Sequence, residues 1–445
     1  MIKIKINDFE LLLEILVALK KKGIFYCFPY NNQKDLSKIK SDIDLVIKPT
    51  EYDKVLSILN QYHIYQKIPH AFTSTCFIIG KGYKDQLSLI TIDLCTDFRI
   101  GVLSFLDAED FSKNISDKSD LIKLPEPKIE FIYILIKNIF KGKIEREKFI
   151  YLTKSYLADS DGCNLLLGKI FSRRTKELII EQIISGKNFL IKDVLLKFDI
   201  FFKFLRSRFL DLFKNFVDEI KRIIGRIFYP TGLFILFLGI DGSGKTTAIE
   251  NLSGNISYFF RHIEKHHFRP EIIWKNKNII HNSKNPHEKP QRGKVVSVLK
   301  SIVLYFDWLF GFIIYIFPAK IRSSLVIYDR GFLDILVDPY RYRISPSKSF
   351  EETLSKLLPK PDLIFFLDVN PLEAINRKIE LPLSELIMQR VKLLNIAKKF
   401  RIISIDANRT KKEVSNEIEK IIMEYLEYRF KRRNGIFESL SNFDK

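Results

Sequence analysis

Leu233-Phe234-Ile235-Leu236-Phe237-Leu238-Gly239-Ile240-Asp241-Gly242-Ser243-Gly244-Lys245-Thr246-Thr247 decides how the chain is read. The apolar run Leu233–Leu238 has the pattern of a strand buried on both faces. Gly239 to Thr246 then fits G-x-x-x-x-G-K-[ST], and Thr247-Ala248-Ile249-Glu250-Asn251-Leu252 follows with helical spacing. Strand, glycine turn and helix are the setting in which this motif carries meaning, and they weigh against a chance turn in an α/β core. A polyphosphate has to be wrapped by backbone N–H groups. Gly239, Gly242 and Gly244 keep side chains out of its way and tolerate positive φ, with Asp241, Ser243 and Thr247 completing the cradle by position. The helix start contributes the positive end of its dipole. Lys245 is placed to reach the β- and γ-phosphates of ATP, and the Thr246 hydroxyl to ligate Mg²⁺.

A length of 445 residues predicts two or three domains, and 46% hydrophobic residues suffice for packed cores. The net charge of +20 favours anionic partners without choosing among nucleotides, phosphorylated glycans, nucleic acid and anionic membrane. No specific nucleic-acid partner is expected. Cys27, Cys76, Cys95 and Cys163 form no metal spacing and are too few for a disulfide framework, so reduced thiols in a cytoplasmic setting fit best. The apolar N-terminal stretch is interrupted by Asp8, Glu10 and Glu14, which predicts an amphipathic helix capped by Asp8 rather than a signal peptide.

Residues 1–115 alternate helix and strand signals, with strands expected at Ile24–Phe28, around Asp42–Ile47, and at Leu87–Leu94. On a strand, Asp42 and Asp44 point to the same side. Together with Asp93 they are the carboxylates from which a two-metal transfer site is built. Residues 116–230 read as helical, punctuated by Pro125 and Pro127. Within them Lys192–Phe228 is a long basic amphipathic segment. One reading lays it on an anionic membrane; the other packs its apolar stripe on a core, and the interspersed Asp193, Asp199, Asp211, Asp218 and Glu219 favour the latter. Tyr229-Pro230-Thr231-Gly232 is a turn into the glycine-loop strand.

Beyond that loop, Phe259–His267 is a basic run in which His262 and His266 stand one helical turn apart; without a nearby Cys they do not suggest zinc. The polar stretch 273–294 reads as a mobile loop. Ser301–Phe317 is the most apolar segment. Asp307 within it argues against a bilayer span and for a core or dimer-interface helix. Ser324–Tyr328 is a second buried strand, ending in Asp329 and Arg330, which are placed to hold Mg²⁺ or an acceptor hydroxyl and to clamp a phosphate. Further strands are expected at Pro361–Val369 and Ile402–Asn408. Between them lies a basic lid carrying Arg377.

Two families come into view on these residues. Ser41-Asp42-Ile43-Asp44 with Ile92-Asp93-Leu94 resembles the polymerase-beta-type nucleotidyltransferases, although Phe28–Gln33 and Lys38–Lys40 stand where that family has a Gly-Ser turn. G-x-D-G-S-G-K-T-T, Y-D-R, P-D-L-x-x-x-L-D-V, the Arg-bearing segment and I-D-A resemble thymidylate kinase in order and spacing over the C-terminal half, with Arg269-Pro270 in place of that family's R-E-P. The resemblances imply an α/β chain of three parts. A P-loop NTPase with a doubly wound parallel sheet occupies 231–432, followed by a tail at 433–445. An α+β nucleotidyltransferase-like domain occupies 1–115, and a helical connector 116–230. They also imply an ATP-dependent, Mg²⁺-using kinase with Lys245, Asp329, Arg330 and Arg377 as catalytic groups. Thr246 and Asp329 would bind metal, with Asp42, Asp44 and Asp93 as a second metal set, and a homodimer would form through the kinase domain. The acceptor stays open: a nucleoside monophosphate, a sugar phosphate or a glycan end. A bifunctional kinase and nucleotidyltransferase of surface-polysaccharide synthesis, and an ATP-gated binding protein at an anionic surface, are the alternatives.

Overall fold

The computed structural model describes residues 3–6, 8–30, 42–70, 74–83, 86–113, 115–119, 121–142, 144–186, 194–207, 209–273, 290–345 and 348–436. Ser41, Asn31–Gln33, Lys38–Lys40, most of the expected 273–294 loop and the end of the tail lie outside the described residues. The chain divides into two compact units. Residues 1–225, joined by residues 429–436, make the first, and residues 226–428 the second.

In the first unit β1 (Lys3–Ile6), β2 (Tyr26–Cys27), β3 (Ile43–Ile47), β4 (His63–Pro69), β5 (Ser74–Tyr83) and β6 (Gln86–Cys95) form one mixed sheet in the order β2-β3-β6-β5-β4, with β1 also on β6. The helix Phe9–Lys21 opens as expected. Asp8 accepts the N–H of Glu10 at 3.0 Å, and Leu11, Leu12, Ile15, Leu16 and Leu19 are buried. Two short hairpins follow, β7 (Asp97–Ile100) with β8 (Leu103–Asp107) and β9 (Ser116–Ser119) with β10 (Ile122–Leu124). The helical region therefore begins at Pro127, not at 116. From there the helix Pro127–Lys141 runs through the unit's second core, burying Phe131, Ile132, Leu135, Ile136 and Ile139.

In the second unit β11 (Leu233–Leu238), β12 (Ile263–His267), β13 (Leu325–Asp329), β14 (Leu363–Asp368) and β15 (Ile403–Asp406) are all parallel, in the order β12-β13-β11-β14-β15. Every residue of β11 is buried, which is what its unbroken apolar run requires. The strands after β11 fill one side of it and then the other. That leaves a crevice at its C-terminal end, where open α/β sheets bind ligands. His266 lies on strand β12 rather than on a helix, and its ring stacks on Tyr328 at 4.9 Å.

The apolar segment around 301–317 is the middle of one long helical stretch. Lys294–Ile321 has the length and composition to cross a membrane, yet a third of its most apolar window is buried inside the unit. Trp308 packs on Tyr328 at 4.8 Å and on Phe234 at 6.4 Å. Asp307 is fully buried and has a structural partner set: its carboxylate accepts the N–H groups of Glu271, Ile272 and Ile273 at 3.1, 2.7 and 2.8 Å, with Arg269 at 3.7 Å. One carboxylate thus closes the turn after β12 on to the helix. Asp307→Ala strands three amides and is expected to destabilise the second unit by about 3 kcal/mol, read as a lower urea midpoint.

Candidate active site

The glycine loop joins β11 to the helix Lys245–Asn255. Gly242 and Gly244 hold φ of 79° and 88°, a region that favours glycine. A Cβ on Gly242 would strike the Ala374 carbonyl oxygen, and one on Gly239 would lie 2.6 Å from Ser243 Oγ, whereas Gly244 faces open space. No side chain caps the helix, so its first-turn N–H groups remain available at the loop. Lys245 folds back into the loop, its ammonium donating to the carbonyls of Gly239 at 2.9 Å and Ile240 at 3.0 Å and to Ser243 Oγ at 3.4 Å. Burial and the neighbouring Arg330 charge bring Lys245 down to about 8.

β13 runs beside β11 in register, with Asp329 opposite Phe237, and this brings the strand's terminal carboxylate to the loop. Thr246 Oγ1 donates to Asp329 Oδ2 at 3.3 Å, while Asp329 Oδ1 is buried without a partner. A buried carboxylate oxygen left bare beside a threonine hydroxyl suits a hard cation with oxygen ligands.

Arg330 is placed differently from the phosphate clamp expected of it. Its guanidinium is buried and pairs with the loop carboxylate of Asp241 and, at 3.1 and 2.8 Å, with both oxygens of Asp334. Arg341 grips the other oxygen of Asp241 and also reaches Asp338 at 3.2 Å. Tyr342 donates to Asp334 at 2.6 Å. Burial raises the Asp241 carboxyl, but the Arg330, Lys245 and Arg341 charges outweigh it and hold the group below the usual carboxylate range. Asp241 is therefore a tether of the loop, and Thr247 sits half-buried on the helix behind it.

The helix Pro371–Arg377 abuts the loop where Ala374 meets Gly242. Arg377 itself donates to the Ala407 carbonyl at 3.2 and 3.3 Å and to Glu373 at 3.1 Å, so in this arrangement it ties its helix to the end of β15.

In the first unit the parallel register of β3 and β6 sets Asp44 opposite Asp93, and Asp42, Asp44 and Asp93 line one cavity of about 320 Å³. Lys137, which no motif singles out, enters from the helix Pro127–Lys141. Lys137 donates to Asp44 Oδ2 at 2.6 Å and to Tyr133 Oη, one helical turn back, at 2.8 Å. That i, i+4 spacing of Tyr133 and Lys137 was the one available signal. Ligand atoms of His70, Cys76 and Asp93 also lie within 4.8 Å of one another. The Cys76 thiol is held well above its ordinary value by burial and then by Asp93, so it acts as a neutral neighbour of that carboxylate.

No family model matches the chain. Curated relatives do. A probable thymidylate kinase of Staphylothermus marinus is 26% identical over 212 residues, covering 44% of this chain and 96% of the relative. The thymidylate kinase of Dictyostelium discoideum is 27% identical over 223 residues, covering 46% and 88%, and that of Prochlorococcus marinus 28% over 212 residues, covering 43% and 96%. A region amounting to somewhat under half of this chain is thymidylate-kinase-like. The rest is not covered by these matches.

Asp93 is pushed up to about 7, by burial and then by the charges of Asp44 and Asp42. The folded state therefore keeps a proton that the unfolded chain releases near its ordinary 3.8, and stability falls as pH rises between the two values. Asp93→Asn is expected to remove that slope from the first unit's urea midpoints between about pH 4 and about pH 7.

Proposed function

We propose that residues 231–432 form a P-loop kinase domain of doubly wound topology that transfers the γ-phosphoryl group of ATP to a phosphate-bearing acceptor of nucleoside monophosphate size. The observation that carries this reading is the meeting of Thr246 and the half-bare carboxylate of Asp329 at the mouth of a glycine loop. The thymidylate-kinase-like stretch supports it, being of the size of this unit. Lys245 exchanges its three loop acceptors for phosphate oxygens, and the first-turn amides of the helix Lys245–Asn255 take the rest. Thr246 and Asp329 are the residues that would hold Mg²⁺, which supplies charge neutralisation on the transferring group. Catalysis of this kind is positioning plus electrostatics, and the Asp241–Arg330–Asp334 network supplies the positioning.

A second reading gives residues 1–115, as a nucleotidyltransferase-like part followed by the connector 116–230, a separate nucleotidyl transfer. The convergence of Asp42, Asp44 and Asp93 on one cavity favours it. Against it stands the Lys137 ammonium, which already sits on Asp44, although Asp93 Oδ1 is buried without a hydrogen-bond partner as Asp329 Oδ1 is. The kinase reading therefore stands ahead.

Lys245→Ala is expected to lower ATP turnover in the presence of nucleoside monophosphates by at least about a hundredfold with the circular dichroism spectrum unchanged; undiminished turnover in that variant removes the kinase reading. For the first unit, pyrophosphate release from a nucleoside triphosphate and a sugar phosphate is expected to survive Lys245→Ala and to vanish in Asp42→Asn. Its absence in the unaltered chain with every nucleotide tried ends the second reading.

A further inference from the structure

The helix Phe209–Phe228 presents the wrong side to water. Successive residues turn by about 100°, so Phe209, Phe213, Phe216, Ile220 and Ile223 share one face of it. That face is solvent-exposed, with Phe209 and Phe213 each at 63% exposure. The polar side is the one packed on the first unit. Asn215 is buried, accepting from Arg99 at 2.7 Å and donating to the Val102 carbonyl at 2.9 Å. Arg222 donates to the Pro69 carbonyl at 3.5 Å, and Leu212 joins the core beside Asn215. A helix of a water-soluble surface is arranged the other way round. The expectation that the apolar stripe of Lys192–Phe228 packs on a core holds for Ile200, Phe204 and Leu212 and fails for the face Phe209–Ile223, where the polar side makes the contacts instead. The preceding helix, Val194–Ser207, sends Ile200 and Phe204 into the core while Leu195, Phe198 and Phe202 stay exposed.

Charge selects what covers the face. Lys214 and Lys221 lie about 80–100° from Phe213 around the helix, along one rim of the stripe, and both are exposed. Arg206 is exposed at the end of the preceding helix. Of the carboxylates of the same helix, Asp218 lies between Arg99 at 3.4 Å and Lys221 at 3.8 Å, Glu219 is bound by Arg222, and Asp211 lies nearly opposite Phe213, so Lys214 is the rim cation farthest from an acidic partner on this helix. A second copy would set this cationic rim against another on a chain already carrying +20. An anionic bilayer accepts both the phenylalanines and the lysines. We propose that this face seats the protein on an anionic lipid surface. Phe209, Phe213, Phe216 and Ile220 sink to the acyl boundary, and Lys214 and Lys221 lie among the headgroup phosphates. The proposal is independent of the kinase reading.

The test is flotation of the full-length protein with vesicles of phosphatidylcholine alone and with about one third phosphatidylglycerol. Flotation is expected with the anionic vesicles, fading as salt rises. Phe213→Ser with Phe216→Ser is expected to weaken it at least tenfold, and Lys214→Ser with Lys221→Ser several-fold on anionic vesicles only. Circular dichroism of each variant guards against unfolding. No flotation of the unaltered chain, or flotation unmoved by the phenylalanine pair, overturns the proposal. So does a dimer in sedimentation equilibrium that the phenylalanine pair dissolves, since the face is then covered by a copy.

Discussion

The second unit turns on one buried ion pair, that of Asp241 in the glycine loop with Arg330 at the tip of the neighbouring strand β13. The loop owes its shape to glycines at positive φ, and nothing in a glycine holds such a shape once made. Asp241 supplies the hold, gripped by Arg330 on one oxygen and Arg341 on the other. Arg330 is itself bent into the left-handed region at φ 71°, a conformation that costs a non-glycine residue of order 1 kcal/mol. Its bonds to Asp241 and Asp334, and its N–H on the Phe237 carbonyl at 2.9 Å, over-determine that bend. Removing one partner of such a pair leaves a buried charge uncompensated, typically at 3–5 kcal/mol. The residue before the bend is Asp329, so the same pair that fixes the loop also aims the carboxylate at Thr246.

Two carboxylate sites in one chain are thus partnered differently. At Asp329 one oxygen meets a hydroxyl and the other is buried and bare, an arrangement that suits a cation. At Asp44 the partner is already present, because Lys137 brings its own ammonium from the helix Pro127–Lys141. Burial holds Asp93 close to neutrality as well. In the second, Asp93 Oδ1 is nevertheless buried without a hydrogen-bond partner, so the two sites differ in the ammonium already seated on Asp44. That difference ranks the proposed phosphoryl transfer above nucleotidyl transfer.

Segments whose own residues dictate their neighbourhood were legible beforehand. Leu233–Leu238 had to be a strand covered on both sides, Asp8 had to cap a helix, and the glycine spacing had to make a loop between strand and helix. Asp42, Asp44 and Asp93 could be grouped because side chains alternate along a strand, and β3 does run beside β6. His262–His267 misled, since a basic run without clear periodicity fits helix and strand alike and only pairing with β13 settled it. The partners of Asp307, Arg330 and Lys137 lay outside reach: each bond joins residues far apart in the sequence or turns a side chain back on a neighbour.

By itself the sequence determined the glycine loop, the strand that feeds it and the net positive charge of the chain, because glycine conformation, unbroken hydrophobicity and net charge are properties of residues and their spacing. Only the tertiary structure decided that Arg330 braces the loop, that Lys137 neutralises Asp44, and that the helix Phe209–Phe228 turns its phenylalanines outward. Periodicity says that such a helix has two faces. Which of them meets the protein depends on the groups waiting there, and here Arg99 and two backbone carbonyls claimed the polar one.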